Sequence, residues 1–339
     1  MTGKRVVIRY ATKERKEKIN PKNISAYEKY LKSRISRNKD VKNSTYRQYQ
    51  SATYIWYCFL MEEYDNPYIL DEEFLTNDFI DMMDDYVFFL QDELKNGKKK
   101  INFNLSAISS FYIWAVSRKE VTFNPMNNIQ RMENANDEKI IESVFLTQEQ
   151  VNDIHAELVK TMDKDYTGRY DLQDLVLFGV MYFSASRISA IHSLSISDLI
   201  VKEEENIAYF DNIREKRGKI TKVVVDMKIL GYINKYIEDR KEKGIDTDAL
   251  FVSKVDGEWG RMSKQGLYNR AKKIGLIVGE ENMRPHNYRK TRGNLLYKEY
   301  GIEVAQQVLL HESSDTTKKH YIEQTGVDDV FAKILNKSE

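Results

Sequence analysis

The sequence predicts a mainly α-helical protein with a small antiparallel β-sheet, divided into two domains. Three observations predict it. Proline (4) and glycine (15) are scarce in 339 residues, so little interrupts long helices. Apolar stripes at helical spacing run through residues 21–130. Beyond a polar, aperiodic stretch at 131–143, helical patterns mix with three short runs rich in β-formers.

The elements follow in order. Residues 24–35 form a short helical stretch. Ser44 or Thr45 can cap the next helix, which carries Tyr49, Ala52, Trp56, Phe59 and Leu60 on one face. Asn77 can cap a third, with Phe79, Met83, Tyr86 and Leu90 inward. A fourth runs over about 103–117 through Leu105, Ile108, Tyr112 and Ala115. Four such helices with short polar connections form a bundle, whose aromatic stripe is its core. After the 131–143 linker, Thr147-Gln148-Glu149-Gln150 reads as a capping box that turns Val151, Ile154 and Leu158 inward. An apolar helix spans 172–183. Strands follow at 207–211 and 221–226, around an Arg217-Gly218 turn, and another at 249–253. Three or four helices complete the chain.

Composition narrows the class. Hydrophobic content of 41% and charged content of 31% fit a globular protein. No apolar run approaches the roughly 20 residues of a membrane span. The N-terminus is basic without an apolar core, so it is no secretory signal, and a cytoplasmic location is expected. Cys58 is the only cysteine, which excludes an intrachain disulfide and a cysteine metal site; its aromatic neighbours predict burial. Net charge is only +1, but it is polarised. Residues 1–50 hold 15 Lys/Arg against 4 Asp/Glu, a net of +11, and residues 51–100 have a net of −8. Basic stretches attract phosphates, so residues 1–20 read as a basic arm.

The candidate site residues lie in the second half. Arg187 opens a helical turn after a break at Ser184-Ala185-Ser186. Beside exposed backbone N–H groups, its guanidinium suits an oxyanion. His286 and Arg289, behind Pro285 in RPHNYRKT, share one helical face, pairing a proton-transferring group with a fixed cation. His311 follows the apolar run VAQQVLL, and Tyr321 lies ten residues later. A tyrosine attacks phosphorus at neutral pH only when its proton is taken and the phosphate charge is neutralised. Singly, each residue reads as ordinary surface or packing.

In this order and context they resemble the tyrosine recombinase, or phage integrase, family. The likeness covers most of 145–325, and the helical segment 21–130 matches the family's first domain in kind. The resemblance implies a two-domain clamp: a basic arm (1–20), a helical core-binding domain (21–130), a linker (131–143), a catalytic α/β domain (144–326) and a tail helix (327–339). It also implies a lysine on the β-hairpin. Lys216 in REKRGKITKVVVD aligns best, with Lys219 second.

The implied reaction is site-specific DNA recombination of phage or mobile-element type through a 3′-phosphotyrosyl intermediate. Tyr321 is the nucleophile, Arg187 and Arg289 hold the non-bridging oxygens, and Lys216 protonates the leaving oxygen. His286 serves as general acid–base and His311 bonds the phosphate. No metal, ATP or other cofactor is implied. The partners are double-stranded DNA and three further copies, with the stripe Val327, Val330, Phe331, Ile334 and Leu335 docking on a neighbour or on its own domain. The sequence departs from the family at four places. Ser184-Ala185 stands for Thr-Gly, Ala190 for a buttressing acid, Leu310 for glycine, and the last spacing is ten rather than nine. These departures keep open a non-cutting DNA-binding regulator, such as a phage-type repressor, on the same fold. A type IB topoisomerase-like enzyme is a third reading.

Overall fold

In a computed structural model the described residues are 10–37, 43–76, 79–133, 144–214 and 220–309. The chain divides into two compact units between Glu142 and Ser143.

The first unit holds helices α1 (Lys13–Glu17), α2 (Pro21–Arg37), α3 (Asn43–Glu63), α4 (Glu72–Thr76), α5 (Phe79–Asp92) and α6 (Lys98–Ser117). Trp56, Phe59, Tyr86, Leu90, Ile108 and Tyr112 are buried in one cluster, so the aromatic stripe is core. Cys58 is buried among them. Three helices are longer than their apolar patterns. Pro21 starts α2 early, because a proline tolerates the first helical turn. The three lysines before Ile101 extend α6 back to Gly97. Ser44 and Thr45 lie inside α3, which begins at Asn43. The cap expected at Asn77 lies outside the described residues.

Residues 10–20, assigned to the basic arm by their charge, pack on this bundle instead. The Tyr10 ring lies 4.7 Å from that of Phe89, and Arg15 pairs with Glu62 at 2.6 Å. Ile19 is buried in the same core. Burial of two apolar side chains outweighs the solvation that charge alone would favour.

The second unit begins with α7 (Gln148–Val159), capped by the expected Thr147–Gln150 box. Helix α8 (Leu172–Phe183) is buried along residues 173–182, as its continuous apolar sequence requires. Then come α9 (Ile188–Ser193) and strands β1 (Leu199–Lys202), β2 (Ile207–Arg214) and β3 (Ile220–Asp226). These form an antiparallel sheet in the order β1-β2-β3, with Phe210 opposite both Leu199 and Val223. The expected turn at Arg217-Gly218 lies outside the described residues, between the paired ends Arg214 and Ile220. Helix α10 (Met227–Glu242) leads to a second hairpin, β4 (Val252–Val255) and β5 (Glu258–Arg261). Asp256 and Gly257, both at positive φ, turn it. Helices α11 (Lys264–Gly275), α12 (Pro285–Tyr300) and α13 (Ile302–Val308) follow. Among the described residues, no helix is long and apolar enough to cross a membrane.

One ionic cluster fixes α8 to α11. The Asp174 side chain is fully buried and accepts from Arg270 at 2.6 Å and Lys273 at 2.7 Å. Asp174→Asn keeps the shape but removes the counter-charge of Lys273 and one of the two that face Arg270, which keeps Asp171 at 2.8 Å. Because both partners are partly exposed, the expected cost is about 2–4 kcal/mol, below the full penalty of a dry pair. Chemical denaturation checks this, and an unchanged midpoint would refute it. Desolvation would raise the neighbouring Asp171 carboxyl, but the Arg270 guanidinium, the Asp174 N–H and the Lys273 ammonium together outweigh it and hold the carboxyl below its usual range. That contribution is complete above the ordinary carboxylate pKa and is lost as pH falls through the depressed value.

Candidate active site

The site is assembled where α8 breaks. Helix α8 ends at Phe183, and the Ser184 hydroxyl donates to the Val180 carbonyl at 2.6 Å. Ala185 then turns the chain at φ +48°, in the left-handed region that favours glycine. This is the position where the resembled pattern has glycine, so the backbone path is kept at a strain of about 1–2 kcal/mol. Arg187 follows as the N-cap residue of α9. Its carbonyl accepts from Ala190 at 2.8 Å and Ile191 at 3.1 Å, which makes its backbone part of the helix. The Arg187 side chain is half-buried.

His286 and Arg289 occupy the first turns of α12, with Pro285 at its start. Asn287 accepts the Arg284 N–H at 3.0 Å and secures that end. His286 is exposed, whereas Arg289 is almost fully buried at 1% exposure. Several contacts hold α12 from other elements, among them a hydrogen bond from the Asn287 amide to the Val144 carbonyl at 3.3 Å. The buried Tyr288 hydroxyl donates to the Ala271 carbonyl at 2.9 Å, and Thr291 accepts the Leu146 N–H at 3.1 Å. Burial also holds the Lys290 ammonium below its usual pKa.

Arg289 joins the parts. Its guanidinium donates to the carbonyls of Ala185 and Leu309. Ala185 is two residues before Arg187, and Leu309 ends α13 two residues before His311. One fixed cation therefore holds the approaches to two other candidates. Gly293 permits this, because a Cβ there would lie 2.8 Å from Leu309 Cδ1. Lys216, His311 and Tyr321 lie outside the described residues, as do Leu310 and the tail stripe.

Ala190, in place of the family acid, is fully buried in the apolar core, so packing closes the position the acid would fill. Sequence reasoning missed Arg240 and Arg261. Both lie outside the motifs and bond main-chain carbonyls, so nothing local marks them. Among the described residues, no group of three or more His, Cys, Asp or Glu side chains is disposed to hold a metal ion.

This fold is that of the tyrosine recombinases. XerH bound to a palindromic difH substrate, in a post-cleavage complex, superposes with a TM-score of 0.61 at 16% identity, covering 86% of this chain and 79% of that one. The Tn1549 transposon integrase in complex with circular intermediate DNA gives 0.60 at 16% identity, covering 89% and 96%. The model of the phage integrase family matches residues 144–326, and the chain belongs to that family. Tyrosine recombinase XerC of Escherichia coli O157:H7 is 25% identical over 225 residues, 66% of this chain and 69% of that protein. Tyrosine recombinase XerD of Chlorobaculum tepidum is 23% identical over 237 residues, 69% and 73%.

Proposed function

We propose that this chain is a site-specific DNA recombinase of phage or mobile-element type, cutting and rejoining strands through a phosphotyrosyl bond. The observation that carries it is the Arg289 guanidinium, which gathers the segments leading to Arg187 and His311. Family membership supplies the class of reaction, and the solved XerH and Tn1549 integrase complexes hold DNA, which supports DNA as the partner.

In this reading the Tyr321 hydroxyl attacks phosphorus and the bond to the 5′ oxygen breaks. His286 takes the tyrosine proton, and Lys216 supplies one to the departing 5′ oxygen. Arg187 and Arg289 carry the growing charge on the non-bridging oxygens, and His311 bonds the same phosphate. Two guanidiniums supply the charge stabilisation that divalent ions supply elsewhere. A 5′ hydroxyl of another strand then attacks the phosphotyrosine and releases Tyr321. One phosphoester replaces another at each step, so ATP has no role. Four copies act on two sites, with the tail helix at 327–339 docking between copies.

The test uses a duplex selected for binding from a random pool, nicked beside the scissile phosphate so that a short fragment diffuses away. With a chelator present and ATP absent, wild type should form an adduct that survives denaturation. The buried Arg289 and the closed position at Ala190 favour one other reading, a DNA-binding regulator that does not cut. A gel shift of the same duplex without any adduct would establish that reading instead.

A further inference from the structure

We infer that Arg261 is a positioning residue for Arg187, bracing α9 from its C-terminal end. Helix α9 has only six residues, too few to be stable alone. Its direction fixes Arg187, whose carbonyl receives the first two hydrogen bonds of the helix. Burial of Ala190 and Ile191 holds its middle. Its far end leaves carbonyls that the helix itself cannot satisfy.

Arg261 satisfies them from β5. Its Nη1 donates to the His192 carbonyl at 2.8 Å and the Leu194 carbonyl at 2.7 Å, and its Nη2 donates to the Ser195 hydroxyl at 2.8 Å. A guanidinium can span three acceptors at once, and a cation suits the negative end of a helix. The brace is anchored in turn. Leu194 also accepts the Leu250 N–H at 3.0 Å, and the Ile196 N–H donates to the Asp248 carbonyl at 2.7 Å. The segment 247–250 is held by the buried Arg240, which donates to the carbonyls of Thr247, Ala249 and Leu250. Two arginines from distant elements thus clamp the end of the short helix that carries Arg187. Where the family uses an acid at position 190, this chain steadies Arg187 from the opposite end of α9.

The rate arm of the test rests on the recombinase reading; a second arm does not. In single-turnover cleavage of the nicked duplex, Arg261→Ala should slow adduct formation about tenfold. That is the lower end of the range for supporting residues, because Arg261 is exposed to water. Arg261→Lys, with one point charge for three acceptors, should fall between. Affinity for the duplex should stay within about twofold. The double variant Arg187→Ala/Arg261→Ala should be no slower than Arg187→Ala, since a brace cannot matter once its object is gone. Additive losses, or an unchanged rate in Arg261→Ala, would overturn the inference. The second arm is NMR of the free protein with labelled arginines. The Nε–H signal assigned to Arg187 by its loss in Arg187→Lys should shift or broaden in Arg261→Ala and in Arg261→Lys, while that of Arg289 stays. An unmoved Arg187 signal would overturn it even if wild type never cuts DNA. Absence of a wild-type adduct together with a moved signal would sink the recombinase reading and leave the brace standing.

Discussion

Arg289→Ala should lower the rate of adduct formation by about 10²–10³-fold, the loss seen when one donor to a developing oxyanion is removed. The effect is large because Arg289 serves twice. It is one of the two guanidiniums assigned to the phosphate, and it ties the carbonyls of Ala185 and Leu309 in the free protein. Without it, those carbonyls lose their partner in a buried place, at an expected cost of about 2–4 kcal/mol. For a unit of this size, that lowers the melting temperature by roughly 5–15 °C. Arg289→Lys separates the two roles. It restores a charge but cannot bond both carbonyls, so it should recover less than a tenth of the lost rate. Single-turnover cleavage, a melting curve and a gel shift on the same preparations check all three. Wild-type adduct yield and rate from Arg289→Ala would remove this guanidinium from the chemistry.

Tyr321→Phe should abolish the adduct while DNA binding and stability stay unchanged, stability to within about 0.5 kcal/mol. The substitution removes one oxygen, the atom that bonds to phosphorus in the proposed step. Without a nucleophile the remaining groups can hold the phosphate but form no covalent link. A bound, uncleaved complex from this variant would separate recognition from chemistry. Persistence of the adduct would assign the nucleophile to another of the 22 tyrosines.

What was legible in the sequence was mostly local. Pro285, His286 and Arg289 fall within two helical turns, so their spacing places them on one helix in the right order. The break between α8 and α9 was readable from Ser184-Ala185-Ser186, although nothing there announced that Ala185 takes a left-handed turn. The bundle core was readable because Trp56, Phe59, Tyr86 and Tyr112 recur at helical spacing. Strand β1 was not, because four residues are too few to show a period. The β4–β5 hairpin carried its signal in Asp256-Gly257, but β5 reads EWGR, with a single strong β-former. The contacts that assemble the site were hidden for a different reason. Arg289 to Ala185 spans 104 residues and Arg261 to Leu194 spans 67, and in each the acceptor is a main-chain carbonyl. Every residue has such a carbonyl, so the sequence carries no mark of which one is used.

The central claim is that six residues, Arg187, Lys216, His286, Arg289, His311 and Tyr321, serve one phosphoryl transfer onto Tyr321. The measurement that tests it most directly is peptide mapping of the adduct formed on the nicked duplex with a chelator present. After nuclease and protease digestion, the nucleotide mass should sit on the peptide containing Tyr321, linked through phosphate to its ring oxygen. Nucleotide mass on any other residue, or on none while the duplex is still bound, would contradict the account.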